Sequence, residues 1–280
     1  MLFCRNAAVI GLGLIGGSVA RDLAANGVTV RAYDADPAQL DAAARDGVVT
    51  HRLDSSLCGV EGAELVVIAV PVDAALDVLR CIAPLVGQSK LVTDVGSTKG
   101  RIVALAGELG LGDRFVGSHP MAGDHRSGWN ASRAGLFVDA PVYLCPVPNA
   151  PGSPMRTAQA LWRGLGATTI EMDADEHDRW LAWTSHLPHM IAVALGLTLE
   201  EGRVTRDDLG PGGRDMTRIA GSSPEMWTAI GVDNAAEIER ALAVAERAIA
   251  AMRAALRTQD RRALRETFVA ARAWFDSRRA

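Results

Sequence analysis

One stretch constrains this chain more than any other: Val9-Ile10-Gly11-Leu12-Gly13-Leu14-Ile15-Gly16. It reads as a short apolar strand, Asn6 to Ile10, passing through G-x-G-x-x-G into a helix over Ile15 to Ala25. In that setting Gly11 permits the tight turn, Gly13 lets the backbone approach a pyrophosphate, and Gly16 lets helix and strand pack closely. The helix start, at Leu14 and Ile15, offers unpaired N–H groups and a partial positive charge to phosphates. A second strand, Val28 to Tyr33, ends on Asp34, where an acid binds the adenosine ribose hydroxyls and repels a 2′-phosphate. NAD is therefore the expected cofactor. FAD, or a glycine turn with no nucleotide, are the competing readings.

Strand and helix patterns alternate through the first part of the chain. Pro37 to Arg45 is helical, Leu65 to Val70 a continuous buried strand, Ala74 to Leu85 a helix and Lys90 to Asp94 a strand. Short strands follow at Val116 to Ser118 and Val142 to Cys145, then a helix over Met155 to Leu165 and a strand over Thr168 to Met172. This order predicts a parallel sheet covered on both faces. Val70 and Pro71 close one strand at its carboxyl end, the edge where open α/β sheets bind ligands. Asp94-Val95-Gly96-Ser97-Thr98-Lys99 closes the next, and Ser97 either faces the nicotinamide end or caps a helix.

From Asp173 onward the pattern is helical only. A long helix is expected through Trp180, Trp183 and His186 toward Leu199, then a glycine-rich loop from Asp207 to Asp215. Apolar residues step by three or four along Ile238, Leu242, Ala245, Ile249, Met252 and Leu256, and again along Leu264, Phe268, Ala271 and Phe275. Such spacing makes one apolar stripe per helix. The chain thus reads as a Rossmann-type α/β dinucleotide-binding domain over 1–172 and an all-helical substrate and dimerisation domain over 173–280. Those stripes exceed what one small helical domain hides, so a homodimer is expected.

Composition removes other classes. With 49% hydrophobic and 22% charged residues, the chain is too apolar to be disordered. A net charge of −4 argues against nucleic acid as a partner. No apolar run is long enough for a membrane span, and the N-terminus lacks a signal-peptide pattern. Cys4, Cys58, Cys81 and Cys145 form no C-x-x-C and read as free thiols of a cytoplasmic protein.

Three further segments carry chemistry. Gly117-Ser118-His119-Pro120-Met121-Ala122-Gly123 puts a histidine at a strand end, where it is either a general base or a hydrogen-bonded core residue. His186-Leu187-Pro188-His189 places two histidines one turn apart, open to substrate contact, core packing or zinc, though no third metal ligand accompanies them. Arg214 and Arg218, four residues apart after Gly212-Gly213, form either a carboxylate clamp or a solvated pair.

Together these motifs resemble the prephenate/arogenate (cyclohexadienyl) dehydrogenase family of tyrosine biosynthesis. The matching pieces are VIGLGLIGGSVARDL, VIAVPV, DVGSTKG, GSHPMAG, SHLPH and GGRDMTRIAGSSPEMW, in family order. The resemblance implies NAD-dependent oxidative decarboxylation of a cyclohexadienol acid, prephenate preferred, with no metal. It implies that His119 takes the ring hydroxyl's proton and that Ser97 orients both. It further implies that His189 contacts substrate, that Arg218 holds a substrate carboxylate, and that Arg214 stands at a commonly basic position. His125 occupies a place where many prephenate-using relatives carry glutamate, which bears on the choice among prephenate, arogenate and 4-amino-4-deoxyprephenate. No regulatory or mutase domain is expected. A β-hydroxyacid dehydrogenase is disfavoured because no lysine follows Lys99. A non-catalytic NAD-sensing module is the rival of another class.

Overall fold

The computed structural model describes residues 2–123 and 126–277. Its first element, β1 (Asn6–Ile10), is followed by α1 (Leu14–Ala25), β2 (Thr29–Tyr33), α2 (Pro37–Arg45) and β3 (His51–Arg52). Then come β4 (Leu65–Ile68), α3 (Val72–Ile82), β5 (Leu91–Asp94) and α4 (Gly100–Glu108). The five strands form a parallel sheet in the order β3-β2-β1-β4-β5. Alternate residues feed opposite faces. Ala7, Val9, Leu65 and Val67 pack with Val19 and Leu23 of α1. Ala8, Ile10, Val66 and Ile68 pack with Leu76, Leu79 and Ile82 of α3. Burial on both faces explains why β1 and β4 read as unbroken apolar runs. Each fully buried Leu or Ile contributes about 1.5–3 kcal/mol. The strand order reverses between β1 and β4, and the crevice at their carboxyl ends is the ligand edge of such a sheet.

The expectation of one parallel sheet needs correction. The strands β6 (Val116–Pro120) and β7 (Pro141–Pro146), the helix α5 (Gly152–Gly164) and β8 (Thr168–Glu171) build a second, three-stranded sheet. In it β6 and β7 are antiparallel and β7 and β8 parallel. A single parallel bridge, Val92 to Phe115, joins it to the first sheet. Buried hydroxyls stitch the junction. Ser118 Oγ lies 2.7 Å from Thr93 Oγ1 and accepts from Trp162 Nε1 at 2.9 Å, while Thr93 donates to the Val116 carbonyl at 2.6 Å.

The helical region begins with α6 (Ala174–Leu181). Its cap is Asp173, whose carboxylate accepts from Asp175 and Glu176 N–H at 2.9 and 3.1 Å. Helix α6 packs inward: Ala174 joins the apolar cluster on the α3 face of the first sheet. The expected long helix is interrupted by a π segment over Ala182–His186 before α7 (Leu187–Glu201). Pro188 lacks the N–H that an α-helix needs there, and the widened turn accommodates the loss. Within the expected glycine loop, Pro211 already opens α8 (Pro211–Thr217). Then come α9 (Pro224–Asp233), α10 (Ala235–Arg257) and α11 (Arg261–Asp276). The break between the last two falls at Gln259, whose φ is +53°, and Asp260 caps α11. The α10 stripe is covered at Ile238 and open at Ile249 and Leu256, and that of α11 is open at Phe268 and at Phe275, 76% exposed. Among the described residues no helix is long and apolar enough to cross a membrane.

The turn between β1 and α1 depends on the absence of one methyl group. A Cβ at Gly16 would lie 2.1 Å from the Gly11 carbonyl oxygen and 2.7 Å from Ala69 Cβ. Gly16→Ala is expected to destabilise the protein by about 1–3 kcal/mol, read as a lower denaturant midpoint. An unchanged midpoint would contradict this packing.

Candidate active site

The carboxyl edge of the first sheet forms a cradle. Gly11 has φ +96°, and a Cβ there would meet the Ala69 carbonyl oxygen at 2.3 Å. Gly13 is different: a Cβ there meets nothing within 4 Å. Internal packing therefore does not require glycine at 13, and the open side of the loop leaves room for a pyrophosphate to approach its backbone. Gly13 caps α1 without a side chain and no acid lies in the first turn, so the positive end of the helix faces the cradle. Asp34 closes the far side. Its carboxylate accepts from Leu12 N–H at 2.6 Å and Asp36 N–H at 2.8 Å. The acid braces the glycine loop and keeps further lone pairs for a ribose. Val70 is half-buried and Pro71 exposed at the end of β4, beside Gly11. The residues present fit a dinucleotide.

Strand β6 delivers His119 to this cradle. The segment after it turns back across α1, bringing Gly123 beside Leu14 and Ile15. His119 is 9% exposed. Its Nδ1 lies 2.9 Å from His177 Nε2, and His177 Nδ1 lies 2.8 Å from Asp178 Oδ1. The Asp178 carboxylate also accepts from the N–H groups of Lys99 and Gly100, both at 2.8 Å. Tyr143, opposite His119 in the ladder, sets its ring edge-on to His177 at 5.4 Å. Burial, then the repulsion that a proton on His119 would meet from one on His177 and from Lys99, holds His119 well below the ordinary imidazole range. Burial also lowers His177, against the opposing effect of Asp178. Burial pushes Asp178 up, but hydrogen bonds from His177, Gly100 and Lys99 outweigh it and keep its carboxyl below the usual range.

Ser97 is half-buried in the loop after β5, and among the described residues it makes no hydrogen bond to His119. The nearby residues that sequence reasoning missed are polar and mostly buried. Lys99 is fully buried and paired with Asp94. Thr98 donates to Asp233 at 2.6 Å and Arg101 does so at 2.7 Å, tying α4 to α9. The signal for His177 and Asp178 was an adjacent His-Asp pair just after a helix cap.

The other histidines lie on the neighbouring turns. His186 is buried, beside Asn234 Nδ2 at 3.2 Å. Its ring is pushed down to about 4 by burial. His189 is half-buried, 3.2 Å from the Ser185 carbonyl, and stacked on Trp227 at 3.7 Å. Trp227 Nε1 is buried without a partner among the described residues. Burial, together with the positive charge of Arg218, lowers His189. Arg218 is exposed, on a turn that packs against α7. Arg214 instead donates to the Asp207 carbonyl at 3.1 Å. Helix α8 ends at Thr217, and Arg218 follows in helical backbone as the first residue of a 3₁₀ turn. His125 lies outside the described residues.

Three buried, depressed histidines set the acid response of the fold. The unfolded chain protonates them below about pH 6.5. The folded protein keeps His186 neutral down to about 4. Between those values the unfolded state binds more protons, so stability falls as pH falls. Thermal melts are expected to show a falling midpoint from about pH 7 to about pH 5, with a shallower slope for His186→Gln. A midpoint that does not move with pH contradicts the burial described.

Comparison with known proteins agrees with this geometry. The family model for the nucleotide-binding domain of prephenate dehydrogenase matches residues 19–171, and that for its dimerization domain matches residues 173–270. Prephenate dehydrogenase of Bacillus subtilis is 39% identical over 80% of this chain, and the match spans 62% of that relative's length. Cyclohexadienyl dehydrogenase of Zymomonas mobilis is 34% identical over 84% of this chain and 83% of its own. Among solved structures, prephenate dehydrogenase of Aquifex aeolicus, in complex with hydroxyphenyl propionate and NAD+, superposes with a TM-score of 0.87. That match has 27% identity and covers 97% of each chain. With a nucleotide cradle, a buried histidine at its edge and both family models matched, the chain belongs to the prephenate dehydrogenase family.

Proposed function

We propose that the protein catalyses NAD-dependent oxidative decarboxylation of prephenate to 4-hydroxyphenylpyruvate and CO2. The observation that carries this reading is the position of His119. It sits at the end of β6, bonded through Nδ1 to His177, beside a loop that crosses the start of α1. Gly11, Gly13, Leu14, Ile15, Gly16, Asp34, Val70 and Pro71 hold the cofactor. Bound NAD supplies the hydride acceptor.

The remaining work falls to side chains. His119 takes the proton of the ring hydroxyl at Nε2 as that carbon is oxidised to a carbonyl. The ring C–CO2 bond then breaks, its electron pair enters the ring, and the product is an aromatic phenolate. His119 returns its proton to that oxygen. A base held neutral by burial is ready for the first transfer throughout the physiological range. Arg218 holds a substrate carboxylate beside His189, and Trp227 walls the same pocket. Ser97 and Arg214 are assigned secondary roles, at the hydroxyl end and the outer rim. His125 is assigned to the loop that meets the substrate's side chain.

The reading also divides the chain into a cofactor unit over 1–172 and a substrate and dimerisation unit over 173–280. A homodimer is supported by the uncovered apolar side chains of α10 and α11. Action in the cytoplasm is supported by four unpaired cysteines, two of them exposed.

The test is reduced-cofactor formation with purified protein, offered prephenate, L-arogenate and 4-amino-4-deoxyprephenate, each with NAD and NADP. Fastest turnover is expected for prephenate with NAD. Preference for an amino-bearing substrate would overturn the substrate assignment and leave the chemistry in place. Failure to reduce either cofactor with any of the three would overturn the catalytic reading.

A further inference from the structure

We propose that His177 and Asp178 are positioning residues that fix the tautomer of His119, leaving Nε2 as its basic nitrogen. The inference rests on the dehydrogenase reading for its purpose, but its geometry stands apart from the choice of substrate.

The direction of each hydrogen bond follows from one end of the chain. Backbone N–H groups can only donate. Lys99 and Gly100 each direct one at the Asp178 carboxylate, at 2.8 Å, from the start of α4. That setting favours the anion, which accepts only. His177 Nδ1, 2.8 Å from Asp178 Oδ1, must therefore be the donor. A neutral imidazole that donates through one nitrogen accepts through the other. His177 Nε2 is thus an acceptor, and His119 Nδ1, 2.9 Å away, must donate to it. The remaining nitrogen of His119, Nε2, then carries the lone pair.

Burial supports the assignment. His177 is fully buried and Asp178 nearly so, which keeps water from competing for these bonds. Burial also disfavours a protonated His177, which would reverse the logic by donating through both nitrogens. When His119 takes a proton it becomes an imidazolium, and the acceptor at Nδ1 and the anion beyond it stabilise that charge. The proton stays on His119 and nothing passes to Asp178.

The test combines a spectrum with kinetics. In wild-type protein carrying isotope-labelled histidine nitrogens, His119 is expected to show a protonated Nδ1 and an unprotonated Nε2. Asp178→Ala removes the acceptor that holds the proton of His177 on Nδ1. His177 can then donate through Nε2, and His119 should lose its fixed Nδ1–H pattern. Turnover of prephenate with NAD is expected to fall by about 10²–10⁴-fold in Asp178→Ala, with both KM values within about threefold. His177→Leu should lose a similar amount, and His177→Gln, whose amide oxygen can accept from His119, should recover much of it. A purely structural role would leave the His119 tautomer fixed, and rescue by glutamine would not follow.

An Nε2–H tautomer in the wild type overturns the proposal, even if Asp178→Ala does not fold. So does an Asp178→Ala protein with unchanged tautomer and turnover. If the wild type turns over no cyclohexadienol acid, the functional reading fails while the spectrum still decides this inference.

Discussion

The Asp178 carboxylate meets the first two N–H groups of the loop-to-helix turn at Lys99 and Gly100. Much of the site depends on that contact. It belongs to α6, the first helix after the last strand, and it seats that helix against α4 and β7. Because α6 is held there, His177 reaches His119, and β6 and α6 meet around one buried polar chain. The same turn is held from another side by Asp233, which accepts from Thr98 and Arg101. Two carboxylates from the helical region thus fasten the segment that follows β5. Losing Asp178 would leave two buried N–H groups without partners, each costing about 1–3 kcal/mol.

The cradle follows from a different constraint. Burial on both faces of the first sheet leaves only its ends open, and the strand order reverses between β1 and β4. Gly11 and Gly16 are required by the turn itself, because a methyl group at either meets backbone. Gly13 is not required by packing, and the loop stays open on its side. The second sheet carries His119 to that opening, and the buried Thr93, Ser118 and Trp162 hydrogen bonds fix its position against β5.

The sequence makes some of this legible and hides the rest, for physical reasons. Strands β1 and β4 follow from continuous apolar runs, β2 and β5 from their alternation with helical segments, and the cradle from glycine spacing with Asp34. The reversed strand β7 did not follow, because the direction of a short strand is set by a long connection and by buried hydroxyls, neither of which leaves a period. Pro188 signalled a disturbed helix but not a π segment. His119 stood out by its motif. Its partner did not: Ser97 was the expected neighbour, and the observed bond is to His177, hidden in a charged helix start.

Replacing His119 tests the central claim most directly. His119→Asn removes the basic nitrogen from the end of β6 while the cradle and α6 stay in place. Turnover of prephenate with NAD should fall by about 10²–10⁴-fold, with NAD and substrate dissociation constants nearly unchanged. A variant that folds and keeps wild-type turnover would contradict the account, because no base at the end of β6 would then be needed.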